Sequence, residues 1–324
     1  MAGVAESRTW DALLTSTLAN YGDKKLHDQI FDELPLLSWF DGKLAGAMRR
    51  EKAKKLLDGG ESIVVRVSYE KSSAIKSYTG YETLDLTPQE GQTIARYSFR
   101  QKAAGITISG RERRANSGDA KLGDLLEDKV QQAELSIRDT MSQDFWGSNS
   151  DGKSVDGLGL ILSTTATIGG LAPATYTWWV PTSTASGSFA AQGLKDMRTL
   201  YNTISYGQNT PDGLFTTQTI FEYVENALQA LQRYTADTEV ANTGFENLRF
   251  KGKPLFFDRD CTSGQVVMLN SKHIKIQVSK DADMATTPFV TPENQDASSS
   301  TILWEGNMTV NDRRKHGRLT AVTA

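Results

Sequence analysis

The 324-residue sequence has little of the chemistry that metal sites and most catalytic sites need. It contains one cysteine, Cys261, so a disulfide within the chain is impossible. Its three histidines, His27, His273 and His316, lie in three different segments. Zinc sites use several cysteine or histidine ligands, and a catalytic histidine needs partners that orient it. The composition therefore argues against both kinds of site, and we expect the histidines to be solvated or satisfied locally.

A basic excess and long apolar runs are also absent. Lys and Arg total 36 and Asp and Glu total 39, a net charge of −3, whereas proteins that bind nucleic acid tightly are normally basic. No apolar run approaches the ~20 residues of a membrane helix. Residues 1–10 lack the basic segment and apolar run of a signal peptide. We expect a soluble protein that folds in a reducing cytoplasm, in which the sequon at Asn307 is a chance match.

Motifs for phosphate, dinucleotide and calcium sites are missing or incomplete. No P-loop occurs, and Gly157-x-Gly159 lacks the third glycine of a dinucleotide loop. Asp281 and Asp283 lack the further oxygens and the glycine of an EF-hand. Cys261 is interpreted as a small buried apolar residue rather than as a nucleophile. The sequence thus predicts no catalytic residue, no cofactor and no metal site.

The first part of the chain predicts an arm followed by a β-hairpin. Residues 1–60 carry apolar anchors but too little periodicity for a core of their own, and residues 43–57 predict a helix or helical linker. Residues 63–69 and 94–99 are β-rich and are separated by a long polar stretch, and a further β-rich run follows at 105–109. A lone two-stranded ribbon is marginal in water, so the hairpin needs a partner surface.

The remainder predicts a long helix and a separate α+β unit. Residues 122–146 carry an apolar stripe at helical period, which indicates one long helix. Residues 153–190 are rich in Gly, Ser and Thr and are interpreted as a loop. Further helices are predicted at 193–206 and 218–234, and strands at 213–216, 248–250, 254–257, 266–269, 274–278, 301–304 and 308–310, with a polar gap from 281 to 300.

The order of these pieces resembles the major capsid proteins of tailed bacteriophages, which have the Hong Kong 97 fold. Two stretches resemble family features, Val155-Asp156-Gly157-Leu158-Gly159-Leu160-Ile161 after the long helix and Phe250-Lys251-Gly252-Lys253-Pro254-Leu255-Phe256-Phe257-Asp258. The resemblance covers essentially the whole chain and implies an α+β fold. Its implied segments are an N-terminal arm (1–60), an extended β-hairpin loop (61–110), a peripheral domain with the spine helix (111–152), an axial domain (153–275) and return strands of the peripheral domain (276–324).

The function that the resemblance implies is assembly of a shell, without an active site. Copies of the chain would form hexamers and pentamers of an icosahedral phage head that encloses double-stranded DNA. The implied partners are other copies, a separate scaffold protein, a portal, packaged DNA through weak non-specific contacts and, as an option, a decoration protein. No membrane is involved, and the protein would be assembled in the bacterial host cytoplasm and found in the virion. Some relatives crosslink a loop lysine to a neighbour's asparagine, but no acceptor is identifiable here, so no crosslink is expected.

We expect contacts between subunits from aromatic and basic side chains of the arm, the hairpin and its base. For the pair Trp39 and Phe40, and for Trp178 and Trp179, core packing and interface burial remain equal alternatives. The cluster at 111–114 and the run at 313–316 predict ion pairs between subunits or solvated turns, and the run could also face packaged DNA. The contact candidates are Trp39, Phe40, Tyr69, Lys71, Lys76, Tyr78, Tyr81, Arg96, Arg111, Arg113 and Arg114.

Three other functions stay open. An encapsulin-type nanocompartment shares the fold and is a close variant of the shell hypothesis. A phage tail or surface-binding β protein is a second alternative, against which the long helix argues. An enzyme of unknown class would need polar groups that converge in one pocket.

Overall fold

The computed structural model describes residues 34–40, 42, 54–84, 86–115, 125–232 and 248–323. The chain divides into two compact units and passes between them several times. The described parts of the first unit are residues 101–115, 125–141 and 281–304. The described parts of the second unit are residues 34–40, 42, 54–84, 86–100, 142–232, 248–280 and 305–323.

Helices and strands alternate along most of the described chain. The helices are α1 (Pro35–Phe40), α2 (Gly110–Ala115), α3 (Leu125–Trp146), α4 (Leu158–Ile161), α5 (Leu194–Ile204) and α6 (Gln218–Gln232). Short 3₁₀ turns lie at Thr177–Trp179 and Arg313–Lys315, and a π-helical turn at Phe189–Gly193. The strands are β1 (Lys54–Leu57), β2 (Ser62–Ser68), β3 (Gln92–Ser98), β4 (Arg100–Ser109), β5 (Thr182–Ser188), β6 (Gly213–Thr216), β7 (Arg249–Phe250), β8 (Lys253–Phe257), β9 (Val266–Leu269), β10 (Ile274–Thr286), β11 (Ala297–Val310) and β12 (Gly317–Thr323).

A six-stranded sheet in the second unit has the order β5-β12-β9-β6-β8-β7. β12 is parallel to β5 and β6 to β8, whereas the β12–β9, β6–β9 and β7–β8 pairs are antiparallel. Every residue of the central strands β6 and β9 is buried. Their short continuous apolar runs are typical of strands that are covered on both faces.

Helices α5 and α6 contribute one apolar side each to the core on this sheet. Their apolar residues recur at steps of three and four, which places them on one face of each helix. Sheet residues such as Leu214, Met268 and Leu319 complete the same cluster. The helix residues in it include Met197, Leu200, Ile204, Ile220 and Val224, all buried. The predicted helices and strands of this region are confirmed.

Strand β12 corrects one part of the predicted segmentation. Residues 276–324 were expected to return together to the peripheral domain, but β12 lies between β5 and β9 in the six-stranded sheet. Leu319 is buried there, opposite Val266. A strand pattern shows that a strand forms but not which ladder it joins, because the partner is remote in sequence.

Two further strands were not predicted. β5 lies within the stretch interpreted as a loop. Its Thr, Ser, Ala and Gly side chains give no hydrophobic period that would indicate a strand, and this edge strand is held by its ladder with β12. β1 lies in the stretch predicted to be helical, yet Lys54–Leu57 pair in parallel with residues 276–279 of β10. Remote pairing overrides the helix propensity of Lys and Leu there. The rest of that prediction, residues 43–53, lies outside the described residues.

The long helix is confirmed over its described length. α3 has 22 residues and is therefore about 33 Å long. Three residues of its predicted stripe, Ile137, Met141 and Phe145, are buried.

The four-stranded sheet has the order β1-β10-β11-β4. The polar gap expected between residues 281 and 300 is shorter than predicted, because β10 continues to Thr286 and β11 begins at Ala297. Among the described residues, none of the helices is both long and apolar enough to cross a lipid bilayer.

Candidate functional site

The hairpin of β2 and β3 is buried on one face at its root and exposed on the other. Ile63 lies opposite Tyr97 and Val65 lies opposite Ala95 in an antiparallel register. Ile63, Ala95 and Tyr97 are almost fully buried, whereas Val64 and Ile94 are 52% and 43% exposed. The alternation at period two shows that the ribbon packs on the body by one face only.

Beyond its root the hairpin exposes large apolar side chains. No helix or strand forms from Tyr69 to Gly91, Asp85 apart, which lies outside the described residues. Isolated exposed apolar residues are ordinary, but a dense set on one projecting segment marks an interaction surface. These residues, the hairpin tip, are exposed as follows: Ile75 82%, Tyr78 60%, Tyr81 107%, Leu84 53% and Leu86 89%.

The outer edge of β2 has no strand partner among the described residues. The N–H of Arg96 donates to the carbonyl of Gly169 at 2.9 Å, so Arg96 points its backbone groups away from β2. Val64 lies opposite Arg96, and antiparallel partners share this orientation, so Val64 and Arg66 also point theirs outward. No other described residue bonds to the N–H of Val64 or Arg66. Such an edge can accept an added strand.

The root of the hairpin is held by Tyr97 and by a close approach at Gly169. The Tyr97 hydroxyl donates to the carbonyl of Val310 at 2.9 Å and accepts from the Val310 N–H at 3.3 Å. Burial raises the pKa of the Tyr97 phenol, which therefore stays protonated and able to donate. A Cβ at Gly169 would lie 2.8 Å from the Ala95 Cβ, and the φ of Gly169 is +60°. The body thus approaches β3 too closely for any side chain at residue 169.

Gly169→Ala is expected to loosen the hairpin root, because the added methyl group collides with Ala95. Gly170→Ala is the matched control, since Gly170 also has positive φ (+77°) but a methyl group added there would meet nothing within 4 Å. Both variants carry the backbone cost of roughly 1 kcal/mol, and only Gly169→Ala adds a packing cost of roughly 1–3 kcal/mol. Urea unfolding of both variants checks the prediction. Equal stability of the two would contradict it.

The contact candidates on the hairpin are exposed or half-buried, as a contact with a neighbouring subunit requires. Lys71, Lys76 and Arg96 are exposed, and Lys76 is 3.8 Å from Glu82 on the same tip. Tyr69 is half-buried and stacks on Trp178, with ring centroids 5.1 Å apart. These positions leave intersubunit contact a prediction.

Trp39 and Phe40 lie in the core of the second unit. Trp39 meets Phe215 edge-on at 5.7 Å, and Phe40 meets Phe145 at 5.9 Å. Both side chains are at most 2% exposed. The structure therefore decides for core packing of this pair, and their candidacy as intersubunit contacts is corrected. Asp258 anchors the same helix by accepting the Leu36 N–H at 3.1 Å, and burial raises the pKa of its carboxyl.

The basic cluster forms helix α2, and one of its arginines pairs within the chain. Ser109 and Glu112 make a capping box, in which each backbone N–H donates to the other's side chain at 3.0–3.2 Å. Lys129 of α3 is 2.9 Å from Glu112. Burial alone would raise the pKa of the Glu112 carboxyl, but the bonds from Lys129 and Ser109 together lower it.

Arg114 contacts Asp296 of the same chain at 2.7 Å and is 67% exposed, so its contact with another subunit stays a prediction. This pair is well exposed and is worth little to stability. Arg111 and Arg113 are exposed on the same helix and remain contact candidates.

The run at 313–316 is more buried than the sequence indicated. Arg313 and His316 are fully buried and Lys315 is 9% exposed, so a solvated turn or a DNA-facing patch is wrong for these three. The Lys315 ammonium lies 3.2 Å from the centre of the Tyr206 ring. Arg314, the more exposed member, pairs with Asp312 at 3.2 Å. Charged residues are almost never buried unless they are paired, so a run of four basic residues indicates solvent exposure rather than the burial that the structure shows.

The described histidines and the cysteine lack a catalytic arrangement. His273 lies between Asn209 and Asn311, at 2.7 and 2.8 Å, and the His316 Nδ1 accepts the Asn270 N–H at 3.2 Å. The Ser271 hydroxyl donates directly to the Asp212 carboxylate, with no histidine between them. Burial raises the pKa of the Cys261 thiol, which disfavours the thiolate. In the described ranges, no three His, Cys, Asp or Glu residues group as metal ligands. His27 lies outside those ranges.

His316 predicts a loss of stability in acid. Burial, with His273 and Arg313 nearby and despite Asp312, lowers the pKa of His316 to about 3. The unfolded chain, with a histidine pKa of about 6.5, binds the proton more readily, so the stabilisation is complete above that pH and declines as the pH falls toward 3. We expect a slope of up to ~1.4 kcal/mol per pH unit from this residue. Urea unfolding of His316→Gln should show a correspondingly flatter dependence between pH 6.5 and 5, and parallel curves would contradict the assignment.

Comparisons with known proteins identify the fold. No family model matches the sequence, and no curated protein matches it. The structure is similar to the capsid asymmetric unit of cyanophage A-1(L), with 15% identity, a TM-score of 0.67 and coverage of 94% of this chain and 97% of that chain. It is similar to the capsid of an empty GTA particle, with 12% identity, a TM-score of 0.59 and coverage of 93% and 95%.

An encapsulin shares the likeness. The SrpI encapsulin of Synechococcus elongatus PCC 7942 aligns with 11% identity, a TM-score of 0.56 and coverage of 92% of each chain. Identities this low establish the fold and leave the function to be argued from the surfaces of this chain. The chain therefore has the α+β, Hong Kong 97-like fold of capsid proteins, as the sequence predicted.

Proposed function

We propose that the chain is the major capsid protein of a tailed-phage head, and that it acts by self-assembly rather than by catalysis. The observation that carries the proposal is the hairpin tip, where Ile75, Tyr81 and Leu86 are 82–107% exposed on a segment that projects beyond its packed root. A monomer gains nothing from such exposure, because burial of apolar surface stabilises by about 25 cal/mol per Å². A second copy of the chain that covers the tip would recover this free energy.

The outer edge of β2 supports the same proposal. The outward N–H groups of Val64 and Arg66, to which no other described residue bonds, offer directional contacts beside the apolar tip, so one neighbouring chain could satisfy both. Contacts of this kind repeat at every subunit of a symmetric shell, which offsets the entropy lost on association.

The segments would divide this work. In the proposal, the hairpin loop (61–110) and the arm (1–60) apart from Pro35–Phe40 and Lys54–Leu57, which pack on their own chain, reach neighbours. The axial domain (153–275) lines the centre of each hexamer and pentamer, and residues 111–152 and 276–310 form the peripheral domain. Packaged DNA, a scaffold, a portal and a decoration protein are the other proposed partners. Assembly in the host cytoplasm would place the product in the virion.

An encapsulin-type shell is the second candidate, favoured by the likeness to the SrpI encapsulin. It uses the same assembly surfaces and differs in contents, since the proposed phage head holds DNA. Nuclease-protected DNA in particles from infected cells would favour the head, and a protein cargo without DNA would favour the encapsulin type.

Expression of the full chain followed by negative-stain electron microscopy tests the assembly function. Hollow particles or rings of five and six subunits are expected. Long fibres would favour the tail protein instead. A compact monomer at high concentration, with the hairpin tip folded onto its own body, would overturn the proposal.

A further inference from the structure

Asn307 occupies a buried junction between β11, the end of the hairpin and the segment after α3. Its side chain is fully buried. The Nδ2 group donates to the Ser98 carbonyl at 2.9 Å and to the Asp156 carboxylate at 2.8 Å. The Oδ1 atom accepts the Asp156 N–H at 2.9 Å. One amide therefore bridges two remote segments with all of its polar atoms.

The Ser98 carbonyl lies at the joint of the hairpin. β3 ends at Ser98 and β4 begins at Arg100, so Phe99 alone separates the ribbon from the next strand. The Arg100 guanidinium donates to the Gly152 carbonyl and lies 3.8 Å from the Asp156 carboxylate. Ser98, through Asn307, and Arg100, directly, are thus both held to the Asp156 carboxylate.

Asp156 is held from a third direction. Its Oδ1 accepts from the Asn149 side chain at 2.6 Å, and Asp156 is buried, with 8% of the residue exposed. A buried carboxylate that keeps three polar partners is costly to disturb, because any partner that is removed leaves an unsatisfied buried group. The junction therefore has one strongly favoured geometry.

We propose that Asn307 is the positioning residue of the hairpin, fixing the direction in which the ribbon leaves the body by holding the Ser98 carbonyl to Asp156. The role of the hairpin in assembly rests on the proposed function, but its local order does not. Tyr97 and Ala95 pack the root against the body, whereas Asn307 restrains the joint at which the ribbon turns into β4.

Asn307→Asp tests the role with almost no change in size. The new carboxylate oxygen replaces the donor, so it faces the Ser98 carbonyl and the Asp156 carboxylate without a proton between them. Asn270→Asp is the matched control, because Asn270 is also fully buried and its Nδ2 donates to the Asn209 side chain and the Thr210 carbonyl, away from the hairpin. Asp156→Asn is a milder second variant in case Asn307→Asp does not fold.

Hydrogen exchange of the unassembled full-length chain is the readout. We expect amides of residues 92–98 to exchange about tenfold faster in Asn307→Asp, with residues 317–323 unchanged, as for a local rather than global opening. Asp156→Asn should show the same local pattern with a smaller increase. Asn270→Asp should leave 92–98 at the wild-type rate once global stability is matched with urea.

The double variant Asp156→Asn/Asn307→Asp provides a rescue. Its amide at 156 can donate to the carboxylate at 307, which removes the charge repulsion and restores one of the bonds. Exchange of 92–98 should then fall below that of Asn307→Asp alone. Uniformly faster exchange along the whole chain in Asn307→Asp, or no rescue in the double variant, would overturn the proposal. Failure of the wild-type chain to form shells would overturn the assembly function and leave this result standing.

Discussion

Deletion of residues 71–90 is expected to leave a folded subunit that no longer forms shells. The last ladder pair of the hairpin is Ser68 with Gln92, so the deletion leaves Tyr69, Glu70 and Gly91 as a three-residue loop. Loops of three residues close β-hairpins well. The Tyr69 N–H already donates to the Gly91 carbonyl at 3.0 Å, which means that the ends to be joined are adjacent.

The subunit should keep its stability because the deleted segment contributes little to the core. The hydrogen bonds of Ser73 to the Gln89 side chain are local to the tip, and its large apolar residues are exposed. We expect an unchanged circular dichroism spectrum and urea midpoint. Particle yield by sedimentation and microscopy should fall by more than about tenfold, since interface anchors are each worth 2 kcal/mol or more.

A point-variant version separates the apolar contacts from the loop itself. Ile75→Ser/Leu86→Ser removes the two most exposed aliphatic side chains of the tip, and Ser77→Ala is the control on the same segment. Surface changes of this kind alter stability by no more than about 0.5 kcal/mol. Loss of particles in the double variant alone would locate the association energy in the apolar tip. Normal particles from the deletion would show that the hairpin is not an assembly element.

This surface was partly predictable from the sequence. The two β-rich runs and the polar stretch between them indicate a ribbon without a core, and Tyr78 and Tyr81 were expected contacts. Ile75, Leu84 and Leu86 were not singled out, although their exposed fractions, 82%, 53% and 89%, are in the same range as those of the tyrosines, 60% and 107%. Isolated apolar residues in a polar stretch carry no periodic signal, so their exposure follows only from the path of the backbone.

Arg313→Met is expected to cost the second unit about 3 kcal/mol or more of stability. The guanidinium is fully buried and serves as a donor to carbonyls rather than to a carboxylate. Its Nε donates to the Ile161 carbonyl at 2.9 Å, and its Nη groups donate to the carbonyls of Leu160 and Ala166 at 3.4 Å and to that of Ser163. Leu160 and Ile161 belong to the last turn of α4, where carbonyls have no partner within the helix.

The physical reason for the effect is the set of carbonyls left behind. A methionine fills similar space without donors, so the carbonyls of Ile161, Ser163 and Ala166 lose a charged donor, whereas that of Leu160 keeps the Ser163 N–H. Each carbonyl left without a donor costs roughly 1–3 kcal/mol. Burial lowers the pKa of Arg313 to about 10, so the group stays charged at neutral pH and its bonds remain charge-assisted. Arg313→Lys should lose about 2 kcal/mol, because one ammonium cannot reach carbonyls spread along a planar fork.

Arg314→Met is the matched control for this prediction. Arg314 is the next residue, is 47% exposed and pairs with Asp312, so its loss should change stability by less than about 1 kcal/mol. Urea unfolding of the unassembled chain, followed by tryptophan fluorescence, compares the three variants. Equal midpoints for Arg313→Met and Arg314→Met would show that the buried guanidinium is not a structural tie.

The sequence by itself determined the elements whose signal is local. The ribbon of β2 and β3, the helix α3, the helices α5 and α6 and the buried strands β6 and β9 all follow from hydrophobic periods of two and 3.6 residues or from short apolar runs. Their order along the chain then indicated the fold. These patterns are contained within a dozen or so residues, which is why no tertiary information was needed.

The tertiary structure alone decided how remote segments pair. It placed β12 beside β5, made Lys54–Leu57 a strand on β10, put Trp39 in the core and buried Arg313 and His316. In each case the same residues could have been solvated or paired elsewhere at similar local cost. The outcome depended on partners remote in the sequence, many of them more than a hundred residues away, which no local pattern in the sequence specifies.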